Sequence, residues 1–252
     1  MKVIKEYLPY ADQKTNALLF LPDADVEAKT TVAIFTHGYT ADKSSIINWP
    51  IRLAEIGMPC VLFDLPGHYL GNFSEVEDFE YFKEHAHELF YTAFLLLKDF
   101  KVDEVVFAGH SLGAMLALKA LTLPQFSSYK KRAVGVGIGM APKNVVHLFD
   151  TPFYKTTLNL REQLVSPALC SANVFPWIKN EKEVIALSGQ TIHLITGLDD
   201  LVVGNDGTER FKELLELQGN VVTIEKPTRL PHHEPQLAAS HVKKYLKKEG
   251  LI

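Results

Sequence analysis

Residues 102–123 read VDEVVFAGHSLGAMLALKALTL, and this stretch decides the fold. Val105, Val106, Phe107 and Ala108 form a short apolar run that predicts a buried strand. Leu112, Met115, Leu116, Lys119 and Ala120 then recur at helical spacing. Between the two lies Gly109-His110-Ser111-Leu112-Gly113, a G-x-S-x-G pentapeptide with a strand before it and a helix after it. Such a turn is so tight that Ser111 must adopt a strained backbone, which pushes its hydroxyl out above the sheet edge. A side chain at 109 or 113 would collide with a neighbouring element, which accounts for glycine at both. The helix N-terminus then turns its free N–H groups toward the serine. A Ser/Gly turn joining a strand to a helix is the bland alternative.

Outward from this turn, strands alternate with helices. Strands are predicted at 2–8, 16–21, 31–36 (TVAIFT), 59–63, 133–139, 191–196 and 220–225. Helices are predicted at 45–57, interrupted early by Pro50, and at 76–100, 207–217 and 236–248. The alternation implies a mainly parallel sheet covered on both faces, and the opening strand pair, which lacks a helix, implies an antiparallel edge. One segment breaks the pattern. Residues 142–188 are too long for a crossover and carry Phe149, Phe153, Tyr154, Phe175 and Trp177. The reading is one domain over 1–252, with 142–188 as a lid whose aromatic residues, Phe153 and Trp177 among them, line a substrate pocket.

Composition excludes several classes. At 47% hydrophobic and 22% charged, the 252 residues can build a sizeable core. A net charge of −4 argues against a nucleic-acid binder. Cys60 and Cys170 lie far apart and suggest neither a disulfide framework nor a zinc site. The N-terminus has no signal-peptide pattern and no apolar run is long enough to span a membrane, so a soluble, cytoplasmic protein is expected.

A serine hydroxyl needs a base, usually a histidine held by a carboxylate. In an open parallel sheet the site lies beyond the carboxyl ends of the strands. Gly197-Leu198-Asp199-Asp200 follows one strand, and a loop with His232 and His233 follows another. The chain order is therefore Ser, Asp, His.

At this point the sequence resembles the α/β-hydrolase superfamily over nearly its whole length. The residues that carry the resemblance are GHSLG, THGYT after the third strand, FDLPGH, TGLDDLVV and PHHEP. Among subfamilies it looks most like small bacterial serine esterases of the dienelactone-hydrolase-like and acyl-esterase kind. The resemblance implies Ser111 as nucleophile and Asp200 as acid, with His232 as base and His233 as the alternative. It also implies an oxyanion hole made by the backbone N–H groups of Tyr39 and Leu112. Asp199 is then a solvated loop charge or a cap, and Pro231 stands where the family usually has glycine.

The implied activity is hydrolysis of a small-molecule carboxylic ester of short to medium acyl chain, with no cofactor and no metal. A thioesterase, an amidase, an acyl transferase or a non-catalytic ligand receptor on the same scaffold are the alternatives. The other histidines are read as structural. His37 and His110 are motif neighbours. His85 and His87 do not share a helix face and make a poor metal pair. His68 could touch substrate, His193 sits inside a strand, and His147 and His241 have no evident partner. Asp64 is read as a turn-former, and Lys243, Lys244, Lys247 and Lys248 as a solvated face.

Overall fold

The computed structural model describes residues 1–142 and 151–252, the side chain of Phe153 excepted. Eight strands form one sheet: β1 (Lys2–Tyr10), β2 (Gln13–Leu21), β3 (Thr31–Thr36), β4 (Cys60–Phe63), β5 (Glu104–His110), β6 (Lys130–Val136), β7 (Thr191–Ile195) and β8 (Val221–Glu225). Their order across the sheet is β1-β2-β4-β3-β5-β6-β7-β8. β1 and β2 pair antiparallel at the edge, β2 meets β4 antiparallel, and every pairing from β4 through β8 is parallel.

Side-chain alternation along the central strands divides the core in two. Val32 and Ile34 of β3 and Val105 and Phe107 of β5 face one layer. That layer holds α2 (Phe79–His85), α3 (Leu89–Phe94), α4 (Leu112–Ala120) and α7 (Gly207–Leu217). Ala33, Phe35, Val106 and Ala108 face α1 (Asn48–Ala54) and α8 (Ala239–Lys248) on the other side. All of α4 except Lys119 is buried.

Local chemistry moves several predicted boundaries. Asp78 caps α2 by accepting from the N–H groups of Glu80 and Tyr81, so the helix begins at Phe79 and not at 76. What the apolar stripe suggests as one helix over 76–100 is α2 and α3, each followed by a 3-10 turn, at 86–88 and 95–97. Pro50 does not interrupt α1. It sits in the first turn, where a missing N–H removes no intrahelical bond. The glycine-rich end of the predicted strand 133–139 leaves the sheet at Gly137, whose left-handed backbone (φ +64°) turns the chain.

Within 142–188, the described part comprises α5 (Pro152–Arg161), 3-10 turns at 162–164 and 167–169, and α6 (Ser171–Val184). Phe149 and His147 lie outside the described residues. The segment is fastened to the loop after β4. Tyr69 N–H donates to the Leu164 carbonyl at 2.9 Å, Ser166 N–H to the Gly67 carbonyl at 2.8 Å, and Val76 N–H to Ser166 Oγ at 2.9 Å.

Trp177 of α6 is buried at 5% exposure, with its ring edge-on to Phe79 and Phe82 and its indole N–H donated to Glu181 at 3.1 Å. It therefore packs in the core under α2. Truncation there empties a large volume. Trp177→Ala is expected to lower unfolding stability by ~3–5 kcal/mol, read from urea unfolding at neutral pH. A loss below ~1 kcal/mol would contradict this placement.

Candidate active site

β3 and β5 are neighbours, so their carboxyl ends set the His37-Gly38-Tyr39 loop beside Ser111. Ser111 links β5 to α4 with φ +51° and ψ −111°, a conformation rarely open to a residue with a side chain. The glycines on either side permit it. A Cβ on Gly109 would lie 2.3 Å from the Gly113 backbone, and one on Gly113 would lie 2.4 Å from the His37 carbonyl. Leu112 opens α4, so its N–H lies outside the helical ladder. Tyr39 follows β3, ahead of Thr40, which also has a left-handed backbone (φ +59°).

The structure sets His232, and not His233, between serine and carboxylate. His232 Nε2 is 3.2 Å from Ser111 Oγ, and Nδ1 is 2.9 Å from Asp200 Oδ2. A carboxylate can only accept, so Nδ1 carries the hydrogen and the Nε2 lone pair faces the serine hydroxyl. Asp200 is 3% exposed. Its Oδ1 accepts from Val202 N–H at 2.9 Å and Val203 N–H at 3.0 Å, which fixes the carboxylate from behind.

Asp199 is not simply a solvated charge. Its Oδ1 accepts from Leu230 N–H at 2.8 Å and so ties the histidine loop to the acid loop. His233 stands beside the base with its ring perpendicular to that of His232, centroids 5.6 Å apart.

Ser111 opens into a cleft of about 570 Å³, counting its open mouth. From the inserted segment, Tyr154, Leu158, Arg161 and Phe175 line it, with Tyr39, Thr40 and His233 among the residues opposite. Trp177 is not among the lining residues, because it is committed to the core. α5 includes the backbone of Phe153, whose side chain lies outside the described residues. His68 is fully buried behind Tyr39, rings edge-on at 6.1 Å, and does not line the cleft, which fits the structural reading and not the substrate contact left open for it.

Asp64 does more than form a turn. Fully buried, it accepts from the Lys43 backbone N–H at 2.7 Å and pairs with the Lys43 ammonium. His37 donates through Nδ1 to the Gly38 carbonyl at 2.8 Å and accepts through Nε2 from Leu65 N–H at 2.9 Å. Together these bonds clamp residues 37–43 to the loop after β4. His241, without an evident partner in the sequence, finds one, its Nδ1 meeting Glu225 at 2.9 Å, and the strand residue His193 meets Thr223 Oγ1 through Nδ1 at 2.7 Å. Among the described residues, no group of three or more His, Cys, Asp or Glu side chains could hold a metal ion, and no helix is long and apolar enough to cross a membrane.

A model of the alpha/beta hydrolase family matches residues 33–236. The chain belongs to that family. The match runs from β3 through the histidine loop, so it spans Ser111, Asp200 and His232. No curated protein matches the sequence. Among solved structures, a thermostable carboxyl esterase from Bacillus coagulans is similar at TM-score 0.69 and 14% identity, covering 100% of this chain and 99% of that one. Est1E from Butyrivibrio proteoclasticus is similar at TM-score 0.56 and 15% identity, covering 97% and 98%. An acylaminoacyl peptidase from Pyrococcus horikoshii is similar at TM-score 0.64 and 14% identity over 99% of this chain. This chain spans only 41% of that peptidase. Likeness at these identities establishes the α/β-hydrolase fold.

Two outcomes follow from this geometry. Asp200→Asn disturbs the tautomer of His232 and is expected to lower kcat on the order of 10⁴-fold. Asp199→Asn retains an oxygen for Leu230 N–H and should cost far less. Equal losses in the two variants would contradict the distinct roles of the two aspartates.

The second concerns acid stability. Burial lowers His37 to about 4, His68 to about 3 and His193 to about 4, and holds His110 well below its ordinary range. Below ~6.5 the unfolded chain protonates these histidines while the native state leaves them neutral. Their contribution to stability is therefore complete above ~6.5 and is lost as pH falls toward 4, by about 1.4 kcal/mol per pH unit for each histidine. Urea midpoints should drop steeply between pH 6.5 and 5, and a constant midpoint over that range would contradict it.

Proposed function

We propose that this protein hydrolyses carboxylic esters through an acyl-enzyme on Ser111. The observation that carries the reading is the Ser111–His232–Asp200 relay at 3.2 and 2.9 Å, facing an open cleft. In this reading His232 Nε2 takes the Ser111 proton as Oγ attacks the ester carbonyl. The Asp200 carboxylate stabilises the imidazolium that forms and holds the ring in place. The oxyanion meets the backbone N–H groups of Leu112 and Tyr39, donors fixed before the reaction begins. His232 returns the proton to the leaving alcohol. Water then repeats the sequence on the acyl-enzyme and releases the acid.

The inserted segment acts as the lid that selects the acyl chain. Leu158 of α5 and Phe175 of α6 supply apolar surface beside Ser111, and each buried methylene of a substrate adds roughly 0.8 kcal/mol until the pocket ends. The limited cleft favours short to medium chains.

The test is kcat/KM across para-nitrophenyl esters from C2 to C12. Ser111→Ala is expected to abolish turnover, and the wild-type profile to peak at short or medium length. Leu158→Ala and Phe175→Ala should move that peak. Turnover by Ser111→Ala near the wild-type rate would overturn the nucleophile. A profile of unchanged shape, with every ester slowed equally, would reduce the segment to a structural role.

A further inference from the structure

Arg161 ends α5 at the wall of the Ser111 cleft. It differs from the other arginines of the chain. Arg52 and Arg229 are exposed. Half-buried Arg132 pairs with Glu104 and Glu249, and half-buried Arg210 with Asp206 and the Met140 carbonyl. Arg161 is also half-buried, yet among the described residues its guanidinium has neither an ion pair nor a hydrogen bond. The adjacent Glu162 cannot be counted on to supply one, since its Oε1 accepts from Ser171 N–H at 2.6 Å.

Among the described residues, those lining the Ser111 cleft include no carboxylate. Asp200, behind the base, has its oxygens taken by Val202, Val203 and His232. His233 stands beside the base and within reach of the Arg161 charge. Burial and the Arg161 charge together lower it to about 4, so at neutral pH it adds no charge of its own. Among the described residues, the cleft lining therefore presents one fixed positive charge, Arg161, against aromatic and aliphatic walls, within a chain of net charge −4. A half-buried cation without a counter-charge is unfavourable. A planar guanidinium in that position matches a carboxylate or a phosphate, which it can bind through two parallel N–H donors.

We propose that Arg161 is the anion-binding residue of this cleft, and that the ester hydrolysed at Ser111 carries a carboxylate or phosphate group. This inference rests on the hydrolase reading of Ser111 for its substrate and on the cleft alone for the anion site. The anionic group sits on the part of the ester that extends from the scissile carbonyl toward α5. Arg161 makes no contact with the reacting atoms in this account, and it acts by binding and orienting.

The experiment compares matched neutral and anionic esters. On the acyl side the pair is para-nitrophenyl pentanoate and the para-nitrophenyl monoester of glutaric acid. On the alcohol side it is phenyl butyrate and the butyrate ester of 4-hydroxybenzoate. Charge-assisted hydrogen bonds of this kind correspond to about 10- to 100-fold in kcat/KM. The wild type is expected to favour the anionic member of at least one pair by that factor. Arg161→Gln and Arg161→Met should bring the ratio to about one or below, chiefly through KM, with Arg161→Lys retaining part of it. Competition by glutarate and by inorganic phosphate in parallel assigns the preferred anion. A wild-type ratio of one or less in both pairs, with the neutral esters turned over, overturns the anion site and leaves the hydrolase intact.

If no ester is turned over, the hydrolase reading fails and calorimetry decides the anion site separately. Glutarate or phosphate binding that Arg161→Gln weakens at least tenfold supports it. Absence of binding to the wild type at millimolar concentrations overturns it.

Discussion

The left-handed backbone at Ser111 is the constraint on which the site depends. A φ of +51° at a serine is unfavourable in isolation, and persists only where the surroundings leave no alternative. Here β5 is fixed between β3 and β6, and α4 is buried against both the sheet and the α2–α3 layer. Gly109 and Gly113 approach backbone atoms so closely that neither could carry a side chain without moving an element. The strain at one residue is thus held by the packing of the two elements that meet there. Its result is a hydroxyl raised toward the His232 ring.

The same logic extends to the loops around the serine. None of them is held by hydrophobic packing alone. Asp64 and Lys43 anchor the chain that carries Tyr39, and Tyr39 in turn donates its hydroxyl to the Leu169 carbonyl of the inserted segment at 2.7 Å. Asp199 ties the acid loop to the histidine loop through Leu230. Buried hydrogen bonds are directional, so they fix loop positions more tightly than apolar contact can. Five separate stretches of chain are brought to one cleft in this way. Three of them supply the serine, the acid and the base, and the other two, residues 39–45 and the inserted segment, supply much of the wall.

How much of this was legible in the sequence varies with the range of the interaction. The strand–Ser111–helix turn is encoded locally, in a pentapeptide and its flanking apolar runs, and could be read directly. Asp200 follows from its spacing after Gly197. Composition does not choose between His232 and His233, because the choice depends on how the loop after β8 is pinned, and the pin is Asp199, a residue read as a solvated loop charge or a cap. Trp177 illustrates the opposite case. Its aromatic character suggests a pocket wall, but the side of α6 it occupies is set by Phe79 and Phe82, nearly a hundred residues away in sequence. Asp64 and Arg161 carried no local signal either. The former resembles any turn aspartate until Lys43 is placed beside it, and the latter any helix-end arginine until its lack of a partner is seen.

The central claim is that a single serine, raised by this turn and faced by a histidine lone pair, is the nucleophile. The most direct measurement is to treat the native protein with a fluorophosphonate and locate the adduct by peptide mass spectrometry. The account predicts one phosphonyl group per chain, on Ser111. The intact native protein remaining unmodified, or carrying its adduct on another residue, would contradict it.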